Sequence, residues 1–288
     1  MTSLTGTRSL LFAPGGEERK LVKALAASAD AVIADLEDAV VPAAKAEARE
    51  LVVRMLAEAQ TPSARLVRLN GTDTEFFPED LAAVAELDLE GLVLPKATPE
   101  AVAALGSDGP PVIAIVETAQ GLRLAYETAA EPRVVALMLG AVDLGAELAL
   151  ESRSDGLEIL YARSKLVVDS AAAGIRPPFD VVHLEVHDAE GLAAEALLAR
   201  SLGFGGKTCI HPAQVPIINH VFTPSVEQVE RARGVLAAYE RALTEGRGVV
   251  TFDGKMVDLP VVERARRILA AAGPDVDEQL TAGAQGEA

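Results

Sequence analysis

The segments PVIAIVETAQG, residues 111–121, and VVALMLGAVDL, residues 134–144, decide the fold class of this chain. Each opens on a near-continuous aliphatic run and carries a carboxylate just past it, Glu117 in the first and Asp143 in the second. Unbroken aliphatic runs are what strands covered on both faces require. In a parallel barrel the carboxyl ends of the strands share one rim, where active sites are built. Two rim carboxylates suit a hard divalent cation such as Mg²⁺. Glu117 and Asp143 are therefore read as metal ligands.

Outward from these two segments the same pattern repeats. Strand-like runs are expected at 9–14, 31–37, 65–70, 91–96, 111–117, 134–140, 180–186 and 205–210, separated by Ala/Leu/Glu-rich stretches with helical spacing such as 43–59 and 156–173. Eight strands alternating with helices point to an α/β fold, a (β/α)₈ TIM barrel, over residues 1–222. A doubly wound open sheet is the architectural alternative. Beyond Pro224 the character changes. A Glu/Arg-rich helix is expected over 225–243, then a hairpin around the turn signal Asp253-Gly254, then a helix over 261–271. This helix–hairpin–helix appendage, 223–272, is too short for a core of its own and is expected to pack on the barrel or on a neighbouring subunit. The small, acidic tail 273–288 is expected to be disordered.

A net charge of −17 argues against nucleic acid and against anionic membrane surfaces as partners. Cys209 is the only cysteine, so no internal disulfide forms, and a reducing cytoplasm is the expected compartment. Apolar runs are of strand length, well short of the roughly 20 residues that span a bilayer.

Read in order, the expected strand ends carry Asp35 to Asp38, Arg68, Lys96, Glu117, Gly140 to Asp143, Glu185 and Lys207 to His211. Charge gathered at one rim is costly unless paired or metal-bound, although strand ends also meet water. Arg19 and Lys23 stand four apart on the first helix after Pro14-Gly15-Gly16, where two cations beside a helix start suit phosphate groups, or simply a solvated face. Asp258 precedes Leu259-Pro260 and reads equally as a helix N-cap. His211 is expected to shape the rim, and Cys209 to be a small buried hydrophobe. His183, Glu185 and His187 alternate along one expected strand and form no metal triad.

The motifs RSLLFAPG, DAVIADLEDAV, RLVRLN, GLVLPK, ETAQG, LGAVDL and KTCIHPAQ, in that order, strongly resemble the HpcH/HpaI aldolase and citrate lyase β-subunit family, especially its citrate lyase β-like and malyl-CoA lyase branch. The resemblance runs from Arg8 to His220 and extends into GKMVDLP. It implies Mg²⁺ (or Mn²⁺) held by Glu117 and Asp143, a substrate gripped at Arg68, Glu117 and Gly140, and Glu37 and Asp38 near the metal and its waters. It further implies contacts from Arg19 and Lys23 to coenzyme A. Asp258 becomes the catalytic acid/base, reaching the active site of an adjacent subunit in a homo-oligomer, a trimer or hexamer.

The activity so implied is a carbon–carbon lyase that cleaves or forms a carboxylated 3-hydroxyacyl-CoA (citramalyl-, malyl- or citryl-CoA) with acetyl-CoA and a 2-keto acid as partners. Alternatives are a malate-synthase-like or thioesterase activity on malyl-CoA, a CoA-independent pyruvate aldolase, and a carrier-dependent citrate lyase β subunit. A non-enzymatic scaffold is disfavoured because no motif residue is missing.

Overall fold

The computed structural model describes residues 4–272. These fall into two compact units that part between Phe222 and Thr223. The expected disordered tail, 273–288, lies outside the described residues.

The first unit is a closed barrel of eight parallel strands in sequence order: β1 (Ser9–Pro14), β2 (Ala31–Asp35), β3 (Ala64–Arg68), β4 (Gly91–Leu94), β5 (Val112–Val116), β6 (Val134–Leu139), β7 (Phe179–Asp180) and β8 (Gly206–Cys209). β8 closes on β1 through Ser9 opposite Lys207 and Leu11 opposite Cys209. The open-sheet alternative is thereby excluded. Helices α1 (Glu18–Leu25), α2 (Lys45–Glu58), α3 (Phe77–Val84), α4 (Pro99–Ala103), α5 (Ala119–Arg123), α6 (Ala125–Ala129), α7 (Ala141–Glu147), α8 (Leu160–Ala173), α9 (Ala189–Leu202) and α10 (Val215–Phe222) fill the connections.

The two-residue period of a strand sorts its side chains between two cores. Leu10, Ile33, Leu66, Val93, Ile113, Ile115, Met138 and Phe179 belong to a buried cluster that contains no helical residue, which is the barrel interior. Their neighbours Leu11, Val32, Val67, Leu92, Ala114 and Leu137 pack with helical residues such as Leu21, Val52 and Leu166 in the outer layer. One period beyond the interior cluster, the inward positions are Asp35, Arg68, Glu117 and Gly140. The strands thus stack apolar layers and finish on a polar one.

β7 departs from expectation. A strand over 180–186 is replaced by two residues, Phe179 and Asp180, and the chain from Val181 to His187 carries no strand. Side chains take the backbone acceptors that a strand partner would use: Lys207 Nζ donates to the Val181 carbonyl at 2.6 Å and Gln214 Nε2 to that of His183 at 2.9 Å. His183, Glu185 and His187 therefore share no strand face.

In the second unit, α11 (Val226–Thr244) is followed by a hairpin, β9 (Val250–Phe252) and β10 (Lys255–Val257), and by α12 (Leu259–Ala271). Asp253 and Gly254 both have positive φ, 46° and 70°, as the two-residue turn of a right-twisted hairpin demands. Ala232, Val235, Val257, Val262 and Ala265 form its apolar centre.

Candidate active site

The barrel rim opens on a cavity of about 590 Å³ lined by Phe12, Asp35, Asp38, Arg68, Glu117, Gly140, Asp143, Thr208 and His211, with Lys20 and Lys23 from α1. Glu117 and Asp143 enter it from consecutive strand ends, Glu117 directly after β5 and Asp143 in the first turn of α7.

Glu117 is almost fully buried. Its Oε1 accepts the backbone N–H of Lys96 at 2.8 Å. It packs on Gly140, where a Cβ would stand 2.5 Å from Glu117 Cβ and 2.7 Å from Oε2, so only glycine fits. Burial first, and then the charges of Glu37 and Asp143, push the Glu117 carboxyl up to about 7.

Arg68 is held as a fork. Its Nε and Nη2 donate to the two Asp35 oxygens at 2.7 Å each, and Nη1 lies 2.9 Å from Glu37 Oε2 and 3.6 Å from Asp38. Asp35 is fixed in turn by the backbone N–H groups of Glu37 and Ala39. The guanidinium stands over the Phe12 ring at 5.1 Å. A guanidinium has five N–H donors. Two are donated to Asp35, and Nη1 makes only ionic contacts with Glu37 and Asp38. Burial pushes the Glu37 carboxyl upward against the lowering effect of Arg68, and Lys96 Nζ lies 3.5 Å from Glu37 Oε1.

This donor set suits a hard cation. The acids at the rim offer only oxygen, the buried Glu37 Oε2 accepts no hydrogen bond despite its ionic contact, and the packed carboxylates raise one another. Among the described residues no group of three or more His, Cys, Asp or Glu could hold a metal unaided. Two carboxylates are what an ion that keeps its waters requires.

The remaining expected site residues divide. Lys23 lines the cavity; Arg19, exposed on the same helix, does not. Lys20, whose ammonium pairs with Glu17 at 2.7 Å, also lines it. His211 accepts the Ala213 N–H at 3.2 Å and caps the turn that leads into α10. Asp258 belongs to the second unit, where it caps α12 by accepting the Val261 N–H at 3.4 Å, a long contact. Sequence reasoning left Asp35 as one of the charged strand ends and passed over Phe12 and Thr208. The two-residue period running on from Leu10 and Ile33 would have found Phe12 and Asp35.

The profile of the HpcH/HpaI aldolase/citrate lyase family matches residues 8–212. This chain belongs to that family. Among HpcH/HpaI proteins, a (3S)-malyl-CoA thioesterase of Cereibacter sphaeroides (strain KD131 / KCTC 12085) is 43% identical over 270 residues, covering 92% of this chain and 94% of the relative. The citrate lyase subunit beta of Leuconostoc mesenteroides subsp. cremoris is 36% identical over 281 residues, covering 92% and 93%. In structure, protein CitE from Mycobacterium tuberculosis, in complex with magnesium, acetoacetate and coenzyme A, matches with a TM-score of 0.79 and 38% identity over 92% of this chain and 98% of that one. Magnesium is thus bound by a solved HpcH/HpaI relative, and this barrel is the TIM barrel of the family. No helix among the described residues is long and apolar enough to cross a membrane.

Proposed function

We propose that this chain is a Mg²⁺-dependent carbon–carbon lyase acting on a carboxylated 3-hydroxyacyl-CoA. The observation that carries the reading is the convergence of buried Glu117, Asp143 and the Asp35-braced Arg68 on one rim cavity. Glu117 and Asp143 would hold the ion. Bound there, it would supply Lewis-acid polarisation of the hydroxyl and carboxylate oxygens of the substrate. Arg68 binds the carboxylate of the keto-acid half with donors not spent on Asp35, a planar match that a lysine lacks. Asp35 keeps the guanidinium from rotating away. Lys23 at the cavity edge, with Lys20 and Arg19 on the same helix, offers positive charge to the phosphates of coenzyme A. Asp258 exchanges the proton at the acetyl methyl carbon, acting in a neighbouring copy of the chain within a homo-oligomer.

A second reading is supported by the 43% identity to a (3S)-malyl-CoA thioesterase: hydrolysis of malyl-CoA to malate and free coenzyme A. One experiment separates the two. The protein is incubated with Mg²⁺ and malyl-, citramalyl- or citryl-CoA, and products are resolved by chromatography. Acetyl-CoA with glyoxylate, pyruvate or oxaloacetate supports the lyase. Malate with free thiol supports hydrolysis. No turnover of any of the three rejects both. With an ester that yields the lyase products, Asp258→Asn is expected to lower the rate at least 100-fold.

A further inference from the structure

Four described non-glycine residues have positive φ: Ser28, Lys96, Ala149 and Asp253. L-residues rarely hold this conformation, and where it persists in a functional site the surroundings enforce it. Lys96, at φ 47°, is the one of the four whose N–H meets a carboxylate of the cavity, Glu117 Oε1 at 2.8 Å. It follows Pro95, and a proline followed by a positive φ is the pattern of a tight turn. The turn leaves the Lys96 N–H outside the β-ladder, available to Glu117. The same side chain packs on Gly140, whose absent Cβ makes room for Oε2. Glu117 is therefore held at Oε1 by a hydrogen bond and accommodated at Oε2 by a glycine.

We propose that Lys96 is a positioning residue for Glu117: its left-handed backbone pins Oε1 and thereby fixes Oε2 as the oxygen offered to a divalent cation. The inference rests on the reading of Glu117 as a metal ligand. The ammonium has a separate effect. It stands 3.5 Å from Glu37 Oε1 and offsets an acid that would otherwise repel Glu117. Backbone and side chain can be tested apart, because glycine keeps the left-handed turn without the charge and alanine removes the charge while disfavouring the turn.

The measurement is Mg²⁺ binding by calorimetry to the metal-free full-length chain, comparing the parent with Lys96→Gly, Lys96→Ala, Lys96→Val and Glu117→Gln, each checked for a cooperative melt. Lys96→Ala and Lys96→Gly carry the same charge, so their ratio isolates the backbone. The Kd of Lys96→Ala is expected to exceed that of Lys96→Gly at least fivefold, with Lys96→Val weaker still. Should Lys96→Val fail to fold, the Ala/Gly pair decides. Equal Kd values for that pair, with the parent binding Mg²⁺ and Glu117→Gln losing it, overturn the role of Lys96 and leave Glu117 as a ligand. A parent that takes up no Mg²⁺, or a Glu117→Gln variant that binds as well as the parent, overturns both.

Discussion

Glu117 concentrates the chemistry of the rim in one carboxyl group. Its ordinary value of 4.5 is pushed up to about 7 by burial and by neighbouring acids. Folding in the absence of divalent cations therefore takes up a proton as pH approaches 7. The sign follows from linkage: an acid raised in the folded state favours folding at low pH, and that advantage is lost as pH climbs through about 7. The shift corresponds to about 3 kcal/mol as an upper bound. In EDTA, Glu117→Gln should match the parent in denaturant stability near pH 4 and exceed it by about 2–3 kcal/mol at pH 8. A constant difference across that range would show that the carboxyl is not raised. With Mg²⁺ and an acyl-CoA ester the ranking inverts: Glu117→Gln and Asp143→Asn should each lose turnover by about 1,000-fold, a transition-state loss of about 4 kcal/mol. Initial rates at saturating substrate check this, and a loss of only a few fold would refute the assignment.

The rim elements show where sequence reading succeeds and where it stops. Strands β2, β4, β5 and β6 are near-continuous aliphatic runs, and the strand ends where Asp35, Arg68 and Glu117 emerge are legible because burial on both faces admits little else. β7 is not legible: VVHLEV has strand composition, but the side chains of Lys207 and Gln214 claim its carbonyls, and both lie more than twenty residues away in the chain. Long-range side-chain claims on backbone have no local signature. For the same reason the charged residues of the polar layer were foreseen and the geometry of the Asp35–Arg68 fork was not. Gln214 has a second hold, since its Oε1 accepts the N–H groups of Ile210 and His211 at 3.0 and 3.2 Å. It thus ties the β7–α9 loop to the β8–α10 loop, and Val181, Ile210 and His211 on these loops line the cavity. Gln214→Leu leaves these backbone groups without side-chain partners, at about 1–3 kcal/mol. It is expected to lower the melting temperature by several degrees and to raise KM for the CoA ester several-fold. Mg²⁺ affinity should hold within twofold. A KM indistinguishable from the parent's would deny the loops any part in binding.

At the scale of the whole barrel, the seam at β7 is its thinnest. It has one paired position with β6 and two with β8. Across this seam a buried charge network joins four elements. Arg163 of α8 donates to both Asp180 oxygens at 2.9 and 3.1 Å, and Lys207 of β8 reaches Asp180 at 2.8 Å and Glu195 of α9 at 3.2 Å. His183 Nδ1 meets Glu195 at 2.9 Å. Burial would raise the Asp180 carboxyl, but Lys207 and Arg163 hold it below the usual carboxylate range. Removing this anion leaves two buried cations with Glu195 as their shared acid, for which about 3–5 kcal/mol is expected. Asp180→Ala should therefore destabilise the barrel more than Gln214→Leu does, as read by denaturant melts; the reverse order would show that the seam is held by packing alone. Cys209 ends the strand that shares this seam, fully buried, and burial pushes its thiol up to about 12. At neutral pH a thiol-reactive dye should stay colourless with the native chain and develop one equivalent of colour in denaturant. The lone sulfur then works as a stopwatch. Under native conditions, the slow appearance of that colour times how often the staves spring apart, with no label added and no residue changed.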